Sequence, residues 1–374
     1  SGPSGTKMFG PYEYVAPKYW YEDSKHGGAY GFNTETGPGS QIPPIESLRK
    51  MLSPQDLPNI NNKGWQFHCG RNEFRNLDFF LSVYEKRYWK DSDVEDFAFN
   101  VQMSNYEAIR AMFEAFVLNR MDRSTGVVQW MLNSAWPEVY WQLYDWYLNP
   151  NGAFYGTKTA CNPLNIIYNY GDKNIYLSNE LNTDSLITAE LKLYDIQSNL
   201  INEKNIKLNA RKESIEQVFA IDNIVAPSDV YFLSLKLLNE EKTEVANNFY
   251  WLSKKEDELD YPNSQWHYTP PLENASFVQL KEMQPVKIDS EWQTSVIDDE
   301  FSATVTLENL SNKIAFFIEM RVTDKLSGET ILPVIWSNNY VSLLPNESKT
   351  YTVKFDCKGK KVSDFDLKIK GFNM

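Results

Sequence analysis

The 374-residue chain carries 37 Lys and Arg against 50 Asp and Glu, a net charge of −13, with no long basic run; this excludes a nucleic-acid partner. Three cysteines (Cys69, Cys161, Cys357) and three histidines (His26, His68, His267) lie far apart, which excludes a disulfide framework and any zinc-like ligand spacing. No apolar stretch approaches the ~20 residues of a membrane-spanning helix.

In chain order, the opening SGPSGTKMFGPYEY reads as the middle of a loop, not a natural start, with no signal-peptide pattern visible in it, so any export signal is expected upstream. Ala29-Tyr30-Gly31-Phe32 starts a short buried strand over 29–34. It runs into GFNTETGPG, where Glu35 stands between two threonines. Glu35 reads either as a polar turn residue or as an acid aimed into a site from a strand end. Ser53-Pro54-Gln55-Asp56 has the capping Ser, Pro and acid of a helix start. Glu46, in IPPIESLRKML, reads as a helical residue paired with Lys50 four positions on.

A helix is predicted over Phe74 to Trp89. A longer one is predicted from Asp93 to Met121, opened by the capping box Ser92-Asp93-Val94-Glu95 and patterned by Val94, Phe97, Val101, Ala108, Met112 and Phe116. After a turn at Arg123–Gly126, residues 127–132 (VVQWML) read as a second buried strand, and 152–160 as a helix. Trp141, Trp146 and Tyr147 recur near helical spacing and read as core.

Strands alternating with helices imply parallel β/α units, and two such units cannot cover a sheet by themselves. The first region is therefore expected to be the end of a larger α/β domain. From 164 onward the pattern changes to period-two alternation. Leu191 and Leu193, then Leu233, Leu235 and Leu237, then Phe301, Ala303, Val305 and Leu307 mark strands separated by polar turns. About seven short strands per ~95 residues is the pattern of an immunoglobulin-like sandwich. The expected organisation is a multidomain α/β plus all-β chain. Its parts are the end of a (β/α)8 TIM barrel over 1–162 (strands 7 and 8), a sandwich over 163–256, a charged linker over 257–272, and a second sandwich over 273–374.

In parallel α/β folds ligands bind at the carboxyl ends of strands. Glu35 ends the first strand; Trp130, Asn133 and Trp136 end or follow the second, in WMLNSAWP. A carboxylate beside indoles suits glycoside hydrolysis, in which one carboxyl meets the positive charge developing at the anomeric carbon and indoles stack on the sugar. Tyr19 and Trp20, in the loop before the first strand, read either as walls of the substrate cleft or as loop packing. His68, in WQFHCG, reads either as a hydroxyl partner or as a structural residue. Asn33 either bonds a hydroxyl, orients Glu35 or caps the strand.

GAYGFNTETGPGSQIPP followed by WMLNSAWPEVYWQLYDWYLNPNGAFYG strongly resembles glycoside hydrolase family 2, in its exo-β-D-glucosaminidase and endo-β-mannosidase branch. GPYEYVAPKYWYED, NNFYWLS and WHYTP fit the same branch. The resemblance implies a catalytic nucleophile at Glu35 and a substrate-binding strand end at Trp130, Asn133 and Trp136. It implies a retaining enzyme, with a second carboxyl group about 5–5.5 Å from the first. No candidate for that acid/base is found here, so the chain is expected to be the carboxyl-terminal half of such an enzyme, inactive without its amino-terminal portion.

The expected activity is that of an exo-β-D-glucosaminidase releasing glucosamine from chitosan-type oligosaccharides by double displacement, with no cofactor and no metal. β-Mannosidase or mannosylglycoprotein endo-β-mannosidase is the nearest alternative. A non-catalytic carbohydrate-binding or structural fragment is the alternative of another class. Family habit implies a periplasmic or secreted location.

Overall fold

The computed structural model describes residues 5–221 and 227–374; residues 1–4 of the SGPSG opening and 222–226 lie outside it. The first part of the chain builds a small parallel sheet, ordered β1-β2-β3, from β1 (Thr6–Lys7), β2 (Gly31–Thr36) and β3 (Ser124–Gln129). Its helices are α1 (Tyr19–Glu22), α2 (Ile45–Met51), α3 (Lys63–Phe67), α4 (Asp78–Arg87), α5 (Val94–Leu118) and α6 (Gly152–Ala160).

Helix α5 begins where Asp93 accepts a hydrogen bond from the Asp96 amide. Nearly all its side chains are buried, polar ones included. Such a helix is an interior rod rather than an amphipathic surface helix. Its buried charges are matched by partners on other elements. Arg110 donates to Asn248 Oδ1 (3.1 Å) and to the Phe249 carbonyl (2.7 Å). Glu114 accepts from Asn248 Nδ2 and the Tyr250 hydroxyl, both at 2.7 Å. Burial pushes the Glu114 carboxyl up to about 7, against the pull of Arg110. These bonds tie the rod to the following sandwich.

Several sequence expectations are corrected here. Residues 53–57 form a turn in which Ser53 Oγ accepts from the Asp56 amide (3.1 Å); the helix is upstream, at α2. The helix expected over 74–89 is a 3-10 turn, Asn72–Phe74, then α4. The break falls at 75–77 because Asn61 Oδ1 captures the Leu77 amide (2.9 Å) and Asn76 Oδ1 that of Asp78 (3.0 Å). Glu46 pairs with Arg321, across the fold, and not with Lys50. The second strand lies at 124–129, not 127–132. Trp130 still donates to the Thr36 carbonyl (2.7 Å), but Met131 turns to the Trp141 carbonyl (2.7 Å) and the chain leaves the sheet.

The remainder is two β-sandwiches. In the first, β4 (Leu164–Tyr168), β5 (Asn174–Asn179) and β8 (Ser214–Ala220) form one sheet. The other, in the order β10-β9-β6-β7, contains β6 (Ser185–Asp195), β7 (Leu200–Ala210), β9 (Val230–Asn239) and β10 (Glu244–Ser253). Leu191, Leu193, Leu233, Leu235 and Leu237 are all buried between the sheets. The joining segment is folded rather than a plain linker: β11 (Glu258–Leu259) pairs with β12 (Pro271–Glu273).

The second sandwich sets β13 (Asp289–Ile297), β14 (Glu300–Glu308), β16 (Ile335–Trp336) and β18 (Ser348–Asp356) against β15 (Ala315–Asp324), β17 (Val341–Leu343) and β19 (Phe365–Lys370). Its alternating inward residues Phe301, Ala303, Val305 and Leu307 join the largest core, which runs on into the helices. No helix among the described residues is long and apolar enough to cross a membrane.

Gly37 is where β2 leaves the sheet. A Cβ there would stand 1.8 Å from the Trp130 carbonyl oxygen. Gly37→Ala should therefore pry the two strand ends apart, costing about 1–3 kcal/mol as overpacking does. A lowered thermal midpoint would register it; an unchanged midpoint would show that the strands part freely.

Candidate functional site at the end of strand β2

The NTET run is almost wholly used as scaffold. Asn33 is fully buried, and its Nδ2 donates to the carbonyls of Gly10 (3.0 Å) and Gly27 (3.3 Å). Thr34 Oγ1 donates to the Lys7 carbonyl and Thr36 Oγ1 to the Pro11 carbonyl, both at 3.1 Å. These bonds strap β1 and both ends of the segment joining it to β2 onto β2. Glu35 is half-buried, and the Tyr12 hydroxyl donates to its Oε1 at 2.7 Å.

Tyr12 is itself pinned. Its amide donates to the His267 carbonyl (2.8 Å), and its own carbonyl accepts from Trp141 Nε1 (2.7 Å). Its ring packs against Phe74, Trp141 and Trp266, with centroids 6.3, 6.5 and 5.6 Å away. Burial, followed by the bond to Glu35, pushes the Tyr12 hydroxyl well above the usual phenol range. It therefore remains a donor over any working pH, and Glu35 is held by a neutral hydroxyl rather than an ion pair.

At the adjoining strand end Trp130 keeps 41% of its surface exposed. The loop after it is braced by Ser134, whose hydroxyl donates to Glu138 and to Gln142 Oε1 (3.1 Å). Asn133 is exposed on that loop. Trp136 is also exposed; it stacks on His68 (5.6 Å, 23°) and meets the exposed Phe67 edge-on (5.5 Å). His68 is largely covered, and its Nδ1 lies 2.8 Å from the Pro137 carbonyl oxygen. It serves as a prop for Trp136.

Three sequence expectations change. Tyr19 and Trp20 are buried, Trp20 completely, and do not wall a cleft. Trp20 packs on Phe116 and its carbonyl accepts from the Ala29 amide, while the Tyr19 hydroxyl accepts from the Gly27 amide. Both lie at the amino end of β2, the wrong end for a ligand. Asn33 Nδ2 is committed to the backbone, and the side chain is fully buried with no group facing solvent. Trp146 is exposed and lies outside any helix, because residues 130–150 carry none.

The residues missed are Tyr12 and Trp266; Trp141, read as core, does pack against it. Tyr12 and Trp266 stand in runs rich in aromatics, GPYEY and WHYTP, but nothing local says that the two runs meet.

A second carboxyl group follows Tyr12 directly in the chain. Glu13 is buried, and burial pushes it up to about 8. Its Oε1 lies 3.3 Å from the Tyr140 hydroxyl. A raised carboxyl is what a general acid needs, but this one is buried and turned to the Tyr140 hydroxyl, with almost no surface open to a ligand. Among the described residues no group of three or more His, Cys, Asp or Glu could hold a metal ion.

A sequence profile described as the exo-β-D-glucosaminidase Ig-fold domain matches residues 266–374. The chain is 36% identical over its whole length to the exo-β-D-glucosaminidase of Amycolatopsis orientalis, of which it covers 37%. It is 23% identical over 93% of its length to the mannosylglycoprotein endo-β-mannosidase of Lilium longiflorum, covering 42%. Among solved structures, that of the Amycolatopsis orientalis exo-chitosanase CsxA superimposes with a TM-score of 0.92 at 34% identity, over 98% of this chain and 45% of that one. The chain thus spans less than half the length of these relatives.

Proposed function

The chain belongs to the exo-β-D-glucosaminidase branch of glycoside hydrolase family 2, matching the carboxyl-terminal part of its relatives, and from that premise we propose that it carries the nucleophile of a retaining exo-β-D-glucosaminidase. The observation that carries this reading is Glu35. It stands at the carboxyl end of a parallel strand, held by the Tyr12 hydroxyl, next to the strand end that presents Trp130.

In this reading β1, β2 and β3 belong to the closing part of a (β/α)8 barrel, whose active site lies at the carboxyl ends of its strands. Glu35 attacks the anomeric carbon of a β-linked glucosamine, and the glycosidic oxygen leaves with a proton from an acid elsewhere in the enzyme. Water, deprotonated by the same group, then cleaves the glycosyl ester and restores Glu35. The acid/base comes from the portion of the relatives' length that this chain does not span. Asn133, Trp130 and Trp136 contact the sugar, with His68 supporting Trp136. The far higher identity to the glucosaminidase than to the mannosidase favours glucosamine over mannose.

A panel of aryl β-glycosides offered to the full-length enzyme tests this. Preferred hydrolysis of the β-D-glucosaminide supports it; preference for the mannoside or no hydrolysis at all overturns it. Tyr12→Phe should keep the ring packing and lose the donor to Glu35. Hydrogen bonds to charged groups contribute about 1.5–3 kcal/mol, so kcat/KM should fall roughly 10- to 100-fold with unfolding unchanged. Parental kinetics would show that Glu35 holds its position without Tyr12.

A further inference from the structure

The segment between the sandwiches does more than connect them. Between β11 and β12 it makes a 3-10 turn, Tyr261–Asn263, and a tight reversal in which Gln265 bridges Tyr268. The tip of that reversal is pressed against the Glu35 neighbourhood. The His267 carbonyl accepts from two successive amides, Tyr12 (2.8 Å) and Glu13 (2.9 Å). The Trp266 ring lies 5.6 Å from the Tyr12 ring and 5.9 Å from that of Phe74.

Trp266 nevertheless leaves 55% of its surface in solvent. Folding gains little from an indole in that position, since a polar residue would close the same turn without exposing apolar area. Its backbone is anchored through the neighbouring His267 while its ring stays open, beside the tyrosine that holds Glu35. A flat apolar face with a polar N–H edge, packed on the tyrosine whose hydroxyl holds Glu35, fits the C–H face and hydroxyl rim of a pyranose ring.

Resting on the glycosidase reading above, we infer that Trp266 is a substrate-stacking residue of the Glu35 site, delivered by the segment that opens the last sandwich. The ligand class is a β-linked pyranose unit of the oligosaccharide. The trailing sandwich then takes part in recognition, and the site is incomplete without it.

The test compares Trp266→Ala, Trp266→Leu and Trp266→Phe in the full-length enzyme, with Glu35→Gln alongside, using glucosamine oligosaccharides as substrate. Trp266→Ala and Trp266→Leu should each raise KM about tenfold with kcat changed much less, and Trp266→Phe should restore KM to within about threefold. Trp266→Leu keeps apolar packing on Tyr12 and Phe74, so it guards against a folding defect in the alanine variant. Parental KM in the leucine variant, with Glu35→Gln inactive, overturns the Trp266 assignment and leaves the Glu35 reading standing. An active Glu35→Gln enzyme overturns both.

Discussion

Glu35→Gln in the full-length enzyme should lower kcat by about 10⁴-fold or more, the scale on which loss of a catalytic nucleophile is felt. KM and thermal unfolding should barely move. Gln has the size of Glu and retains an oxygen to accept the Tyr12 hydroxyl, so the local hydrogen bond survives. What disappears, under the proposed mechanism, is the anion that bonds to the anomeric carbon. The companion measurement is covalent trapping. A 2-deoxy-2-fluoro β-glycoside with a good leaving group forms its ester faster than the ester hydrolyses, and the labelled peptide should contain Glu35. A label on a different carboxylate, or a Gln variant with parental kcat, would reject the nucleophile assignment. Intact sugar binding with no hydrolysis by the parent would favour the non-catalytic alternative.

The features most legible in the sequence were those that short-range physics writes into it. Period-two alternation at Leu191–Leu193, Leu233–Leu237 and Phe301–Leu307 corresponds to strands whose alternate side chains are buried between sheets. The Asp93 cap and the apolar period after it give α5 nearly to its ends. GFNTET gives β2 within two residues, because threonines and a β-favouring aromatic lead into a glycine exit.

The contacts that were not legible are long-range. Strand β1 is two residues, Thr6–Lys7, too short for any period. Tyr12 holds Glu35 across 23 positions, and Trp266 reaches Tyr12 across the length of a whole sandwich. Aromatic content marks a residue as suited to burial or to sugar contact, but not which. Trp20 and Trp130 are the same side chain at opposite ends of one sheet. Only the hydrogen bonds around Gly27 and Ala29 put the first at the closed end.

Arg87→Met should destabilise the fold more than any other single change considered. Arg87 is buried at the end of α4, donating to Glu107 of α5 (2.9 Å) and to Asp257, which precedes β11. One guanidinium thereby joins a helix, the central rod and the segment that carries Trp266. Met fills the volume and removes the charge, leaving two buried acids without their ion-pair partner. Breaking a buried pair from one side costs about 3–5 kcal/mol, because the remaining charge has lost its solvation and its partner together.

The loss should depend on pH. Burial already holds the Glu107 carboxyl above its ordinary value, with Arg87 the largest opposing influence. Removing Arg87 raises it further. For an acid whose folded value lies above its unfolded one, the native state binds the extra proton, so stability is fullest at low pH and is lost as pH rises through the folded value. The midpoint deficit of Arg87→Met should therefore be smaller at pH 5 than at pH 7, and adding Glu107→Gln should recover part of it at pH 7. A deficit identical at both pH values would mean that Arg87 acts through its contacts with the Tyr14 and Phe277 rings and not through its pairing with the two acids. If the charge account holds, kcat/KM on oligosaccharides should fall alongside stability, since Asp257 anchors the start of the segment that ends at Trp266.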